Sequence, residues 1–446
     1  MSKINYVIKR NGAVVPFNPE RITNAIYRAA VTMGGRDRSM AEELSKQVVA
    51  LLEQQTPAGQ SPTVEQIQDT VEKVLIENQH ARVAKAYILY RADRASHRQH
   101  QIDDSSTPSS NIPWAKIWHI LDWAVEHGVN TIEGFNQRIA KGELSDVVRE
   151  SEELYHEDIR NAANLIISRA KELKIVIITG PSSSGKTTTT IKVGERLKQE
   201  GYNLVTMNID NYFFDLALHP KDEFGDYDFE TPQALDLPLI SEHLVKLIKG
   251  EQILAPLYDF KTGHRFNDRT PMQLKPNELI LIDSLHGLFP DMTKGVRDEQ
   301  KFKLYLEPLL QMKDQDGNYV RWTDIRLMRR MLRDEAYRAY DPTQTLLHWH
   351  YVRSGEMVNI IPFINTTDYI VSSAMPYELS VYRPKLLSQF EKWVEAYGND
   401  PLREDAFERA VRTYSLLQKV TPLEEDSFVP KDSVIREFIG GSVLKY

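Results

Sequence analysis

Hydrophobic positions along the chain change period several times, and each change marks a region. At the N-terminal end, Asn5-Tyr-Val-Ile-Lys-Arg10, a turn at Asn11-Gly12 and Val14-Val15-Pro16-Phe17 predict a β-hairpin. Asn18-Pro19-Glu20 then supplies a cap and a proline at the first helical position, after which Ile22, Ala25, Ile26 and Ala29 recur at helical spacing. Two further amphipathic helices are expected over residues 41–52 and 63–77, the second opened by a Thr63/Gln66 capping box. Residues 1–95 therefore read as one small α+β domain. Residues 96–113 are polar, carry two prolines and show no apolar period, as a linker does. Over 114–173 the pattern is helical, with Ile117, Ile120, Leu121 and Ala124 on one face, and predicts a helical connector. From residue 174 short apolar runs alternate with helical segments: Ile175-Val-Ile-Ile178, then residues 203–209, then Leu279-Ile-Leu-Ile282. That alternation predicts an α/β domain over 174–385, a parallel sheet covered by helices with its site at the carboxyl ends of the strands. Residues 386–446 read as a C-terminal helical appendage.

At 446 residues the chain holds two or three domains. Its net charge is −8 without a long basic run, so nucleic acid is not expected as a partner. With no cysteine, disulfides, thiolate zinc sites and a cysteine nucleophile are excluded. No apolar run approaches the ~20 residues of a membrane span and the N-terminus has no apolar signal core, so no membrane partner is expected and a cytoplasmic location is. His119, His127 and His156 lack metal-ligand spacing and read as ordinary surface or core histidines.

The chemistry enters at Gly180-Pro181-Ser182-Ser183-Ser184-Gly185-Lys186-Thr187, followed by Thr188. This is a complete G-x-x-x-x-G-K-T phosphate loop between a strand and a helix, the context such a loop requires. Its glycines let backbone N–H groups wrap a triphosphate at a helix N-terminus. Lys186 is placed to reach the β- and γ-phosphates, and the Thr187 hydroxyl to ligate Mg²⁺. ATP and Mg²⁺ are the expected cofactors. Asp210 and Asp283 end the second and third strands and so come to the same sheet edge. There, one carboxylate can take a proton from an attacking hydroxyl and the other can hold Mg²⁺, partly through water.

Two family resemblances add to this reading. Val7-Ile-Lys9-Arg10-Asn-Gly12, Pro16-Phe17-Asn18, Arg21-Ile22, Glu65 to Glu72 and Ala84-Lys85-Ala86-Tyr87 through Tyr90-Arg91 resemble the ATP-cone, a nucleotide-sensing domain of ribonucleotide reductases. The resemblance implies that Lys9, Arg10 and Arg21 face a regulatory nucleotide's phosphates, where three cations near a helix N-terminus give charge-assisted hydrogen bonds. Farther on, the phosphate loop, Ile209-Asp210-Asn211-Tyr212-Phe213, Asp228-Phe229-Glu230, Pro256-Leu-Tyr258-Asp259-Phe260, Asp283 and the run from Asp324 to Asp334 resemble the uridine kinase and phosphoribulokinase family of P-loop kinases. That resemblance implies Asp210 as general base. It implies Asp228 or Glu230 on the acceptor's sugar hydroxyls, Tyr258 as an aromatic ring against the acceptor, and Arg326, Arg329, Arg330 and Arg333 as a charge-stabilising lid.

Three positions depart from the family pattern. Glycine 263 stands where uridine kinases place a base-reading histidine, with His264 one residue later and Arg265 beside it as further acceptor-side candidates. Asp283-Ser284 replaces Glu-Gly, and Asp228-Phe229-Glu230 replaces Asn-Phe-Asp. The reading is an ATP-dependent kinase acting on a small-molecule acceptor, foremost a nucleoside 5′-hydroxyl, in a homo-oligomer whose cone couples ATP or dATP to activity. A sugar phosphate or other small alcohol as acceptor, and a nucleotide-governed switch without transferase activity, are the alternatives.

Overall fold

The computed structural model describes residues 4–445 apart from 9–13, 34, 36, 58–59, 89–110, 221–228 and 339–340. The chain forms two compact units, one of residues 1–109 with 399–402 and the other of residues 110–398 with 403–446.

In the first unit, β1 (Tyr6–Ile8) and β2 (Val14–Pro16) pair antiparallel with Val7 opposite Val15, as the alternation predicts. Three helices follow, α1 (Glu20–Thr32), α2 (Arg38–Gln55) and α3 (Val64–Glu77). Their starts have identifiable causes. Asn18 Oδ1 accepts from the Glu20 N–H at 3.0 Å and Asp37 Oδ1 from the Ser39 N–H at 2.9 Å. The Thr63 capping box is complete, with Gln66 N–H donating to Thr63 Oγ1 and Thr63 N–H to Gln66 Oε1. Ile22, Ile26, Leu44, Val48, Val71 and Leu75 bury the shared apolar faces. Arg21 is exposed on the first turn of α1, while Lys9 and Arg10 lie outside the described residues.

The second unit begins with α4 (Trp114–Glu126), α5 (Ile132–Ala140) and α6 (Leu144–Arg169). A five-stranded sheet follows, built from β3 (Ile175–Thr179), β4 (Asn203–Asn208), β7 (Glu278–Ser284), β8 (Lys301–Glu307) and β9 (Tyr369–Ser372) in the order β4-β7-β3-β8-β9. Every pairing in it is parallel. Between these strands lie α7 (Lys186–Gln199), α8 (Leu237–Ile248) and the antiparallel hairpin β5 (Ile253–Asp259) and β6 (His264–Met272). Then come α9 (Trp322–Arg338) and α10 (Pro342–Asn359), and after β9, α11 (Glu378–Tyr397), α12 (Glu404–Lys419) and a short α13 (Arg436–Ile439). Strand β3, central and covered on both faces, buries Ile175 through Ile178 completely, which is why its sequence is a continuous apolar run.

The separate connector expected from sequence and, apart from residues 399–402, the expected appendage belong to this unit. Helix α6 packs on the sheet: Asp158 Oδ2 accepts the Ser372 N–H of β9 at 3.0 Å, and the Tyr155 hydroxyl meets Thr189 Oγ1 of α7 at 2.7 Å. The expected boundary at 385/386 falls inside α11. Val434, Ile435 and Phe438 near the C-terminus are fully buried.

Candidate active site

The phosphate loop leaves β3 at the centre of the sheet and enters α7. A β-carbon at Gly180 would stand 2.4 Å from the Leu306 carbonyl oxygen of the adjacent strand, so the chain exits there only with glycine. Gly185 has φ +92°, and a β-carbon on it would lie 2.5 Å from Val434 Cγ2. Both family glycines are thus required by local geometry. Lys186 Nζ donates to the carbonyls of Gly180 at 3.0 Å and Pro181 at 3.2 Å, and burial holds its pKa below the ordinary lysine value. Thr187 opens α7 beside it, and Thr188 donates from both its N–H and its hydroxyl to Glu437 Oε2. Ser182 is held from outside, its carbonyl by Arg326 at 3.2 Å and its hydroxyl by Arg330 at 3.3 Å.

The register of the sheet brings the two strand-end acids to this loop. Asp283 pairs with Ile178 of β3, and Asn208 of β4 pairs with Asp283. Asp210 follows two residues later, its N–H donating to Asn208 Oδ1 at 3.0 Å. Burial pushes the Asp283 carboxyl up to about 6; Lys186 opposes that shift, while the charges of Glu437 and Asp210 add to it. A desolvated carboxylate crowded by two others is an environment that gains from a divalent cation. The donor set of Asp283 and Thr187 at a phosphate loop therefore fits Mg²⁺.

The arginine-rich helix α9 corrects one expectation. Arg326 and Arg329 are fully buried and do not form a lid. Arg326 is enclosed by Glu307 at 2.8 Å, Glu356 at 2.5 and 2.9 Å and the Trp349 ring, and its remaining hydrogen bond supports the loop at Ser182. Arg329 forms a two-point pair with Glu378 at 2.7 and 3.1 Å and bonds Ser373. These two are positioning residues, since a buried guanidinium requires carboxylate partners and leaves no donor facing solvent. Arg330 and Arg333 are partly exposed. Arg330 spans Ser182 and Glu230, the latter at 3.0 Å, while Arg333 pairs with Asp334 and is close enough to Lys186 to lower its pKa.

On the acceptor side, Glu230 is held by Arg330 next to the loop, whereas Asp228 lies outside the described residues. Tyr258 lies in an aromatic cluster that sequence reading did not assemble. Its ring is 5.6 Å from Phe213, 4.9 Å from Phe260 and 6.2 Å from His219, and Phe229 is 4.7 Å from His219. The Tyr258 N–H donates to Asn211 Oδ1, which ties the cluster to the turn bearing Asp210. Of these rings, Phe229 and Phe260 are exposed. Phe213, Phe229, Tyr258 and Phe260 lie within the family motifs; nothing in the sequence around His219 marks it.

His264 and Arg265 are not drawn into that cluster. His264 is exposed with Nδ1 3.7 Å from Asp215, and Arg265 donates to Asp236 at 2.9 Å, bracing the carboxylate that caps α8. The glycine beside them has a structural cause. Gly263 has φ +70°, and a β-carbon there would meet Leu216 at 2.8 Å. No histidine fits.

Residues 5–96 match the ATP cone domain and residues 175–379 the phosphoribulokinase/uridine kinase family. A uridine kinase of Bacillus pumilus is 30% identical over 164 residues, 37% of this chain and 69% of that protein. One of Staphylococcus aureus is 31% identical over 168 residues, 38% of this chain and 72% of that protein. One of Deinococcus deserti is 28% identical over 198 residues, 44% of this chain and 86% of that protein. With a phosphate loop, two strand-end carboxylates and an arginine helix in family order, the chain belongs to the phosphoribulokinase/uridine kinase family of P-loop kinase phosphotransferases and carries an N-terminal ATP-cone.

Proposed function

We propose that this kinase moves the γ-phosphoryl group of ATP to the 5′-hydroxyl of a nucleoside. The observation that carries the proposal is the aromatic wall of Phe213, His219, Phe229, Tyr258 and Phe260, fastened through Asn211 to the turn that holds Asp210. A planar base stacks on such a wall, and its ribose then extends toward the phosphate loop, where Glu230 is stationed to accept from sugar hydroxyls.

The acceptor oxygen attacks the γ-phosphorus while the bond to the β,γ-bridging oxygen breaks, and ADP leaves with that electron pair. Asp210 takes the proton released by the acceptor hydroxyl. Lys186, Arg330 and Arg333 are the cations available to the charge spread over the transferring oxygens. Thr187 and Asp283 would hold Mg²⁺, which when bound would supply neutralisation of the phosphate charge. Arg326 and Arg329 act through the loop and the strand ends they brace. The ATP cone match supports a regulatory role for the N-terminal unit, where ATP or dATP tunes activity within a homo-oligomer, with Lys9, Arg10 and Arg21 as the residues the family resemblance implies for the nucleotide's phosphates.

The test is ADP formation and product phosphate with uridine, cytidine, purine nucleosides, ribose phosphates and small alcohols, using Lys186→Ala to define background. One or more nucleosides driving turnover is the expected result. Turnover confined to sugar phosphates or small alcohols replaces the nucleoside by those acceptors. No phosphorylated product at all, with ATP still bound, leaves a nucleotide-governed switch.

A further inference from the structure

The phosphate loop is already facing an anion from its own chain. In a loop of this kind the N–H groups of the loop and the first helical turn are the donors that cradle the α- and β-phosphates. In this chain the Thr188 N–H donates to Glu437 Oε2 at 3.0 Å, and the Thr188 hydroxyl to the same oxygen at 2.8 Å. The contact joins residues 249 positions apart. Thr188 is fully buried and Glu437 is 8% exposed, so the carboxylate is inserted into the site and does not lie across its mouth. Its charge is felt there: it adds to the upward shift of Asp283 and partly opposes the burial that holds Lys186 below the ordinary lysine value.

The backbone that carries Glu437 is fixed. Val434, Ile435 and Phe438 are fully buried, Val434 lies directly over Gly185, and the Arg329 guanidinium stacks 5.0 Å above the Phe438 ring. Arg436 bonds Asp426 and the carbonyls of Val429 and Gly440, and Lys192 binds Asp432 at 2.6 Å. Removing three such apolar side chains from the core costs several kilocalories per mole, so the segment stays in place when ligand binds. The Glu437 side chain is different. It is held at this point by two hydrogen bonds from one residue and can rotate about its own single bonds. A nucleoside triphosphate brings four negative charges to donors that one carboxylate is occupying, and like charges at that distance in a buried site repel strongly.

We propose that Glu437 is a built-in competitor for the phosphate cradle: its carboxylate occupies the Thr188 donors in the resting chain and must rotate away for the α-phosphate to bind, which sets the threshold nucleotide concentration of this kinase. The proposal rests on the phosphate-site reading above and assigns the C-terminal segment a place in the nucleotide site.

The test uses the full chain and measures Kd for ATP by titration calorimetry, with Mg²⁺ and without it, in wild type, Glu437→Gln and Glu437→Asp. Glutamine keeps the shape and removes the charge; aspartate keeps the charge and shortens the reach. Thermal unfolding of each variant checks folding. Both variants binding ATP about tenfold more tightly than wild type, equal to about 1.4 kcal/mol, is the expected result. Unchanged Kd with a lowered Tm makes Glu437 a structural helix cap and overturns the proposal. Weaker binding in Glu437→Gln makes Glu437 a ligand-supporting group, through metal or nucleotide, and overturns it too. Loss of binding in wild type and both variants alike removes the phosphate-site reading itself, whereas loss only in Lys186→Ala upholds that reading and leaves the Glu437 comparison decisive.

Discussion

The phosphate side and the acceptor side of this site are built by opposite strategies. The phosphate side is one stretch, Gly180 to Thr188, whose donors are largely backbone and whose shape follows from two glycines, a central strand and a helix start. The acceptor side is a collection: Asp210 and Phe213 after β4, His219 and Phe229 on the following loop, and Tyr258 and Phe260 on or just beyond β5. A phosphate chain is the same in every substrate of this class, so a contiguous backbone cradle serves it. An acceptor differs from enzyme to enzyme, and side chains from separate loops can be exchanged without disturbing the sheet.

The largest effect that sharpens this comparison lies in α9, which serves both sides. Arg329→Ala leaves Glu378 buried without its two-point partner, and stability falls by ~3–5 kcal/mol, read as a lowered midpoint in urea unfolding. Arg330→Ala, by contrast, removes a partly exposed pair with Glu230 and one of two arginine partners of Asp334, which keeps Arg333, so unfolding shifts by ~1 kcal/mol or less while kcat drops. If the two variants lose stability equally, the division into a bracing and a site-facing arginine is wrong.

A smaller effect tests the aromatic wall. Phe229→Ala raises KM for the acceptor roughly threefold to tenfold, the size of one ring contact, and leaves KM for ATP unchanged. A matching rise in KM for ATP would show that the wall does not belong to the acceptor. Smaller still near neutrality is the pH response of the phosphate side. The Asp283 carboxyl, raised to about 6 by burial, is ionised above that pH and protonated below it. Because Mg²⁺ requires the carboxylate, the Mg²⁺ concentration for half-maximal activity is flat above about pH 7 and climbs by up to about tenfold per unit below about pH 6. Asp283→Asn should abolish the climb. Its persistence would assign the titration to another group.

What the sequence disclosed follows the same divide. The phosphate loop, the parallel strands and both strand-end acids were legible because each is a local pattern: eight residues of motif, or an apolar run with an acid at its end. The ATP-cone helices were legible through a capping box and helical spacing. The arginines were only half legible. Arg326, Arg329, Arg330 and Arg333 alternate with Ile325, Leu327, Met328 and Met331, and the pattern of an exposed basic face is also that of a helix buried on all sides and neutralised from afar. The deciding carboxylates, Glu356 and Glu378, lie 30 and 49 residues away. Nor did composition reveal that residues 114–173, 386–398 and 403–446 belong to one compact unit with the kinase sheet, since amphipathic helices do not specify their partners. Gly263 was visible as a departure, but its cause, Leu216 against the missing β-carbon, exists only in three dimensions.

Paired measurement of turnover and ATP binding in Asp210→Asn decides whether that residue serves as proton acceptor between these two half-sites. With the nucleoside that wild type uses best, kcat is expected to fall about 10²–10⁴-fold and Kd for ATP to change by less than about threefold. Turnover within about threefold of wild type would contradict it, because the hydroxyl proton would then leave by a route that does not involve Asp210.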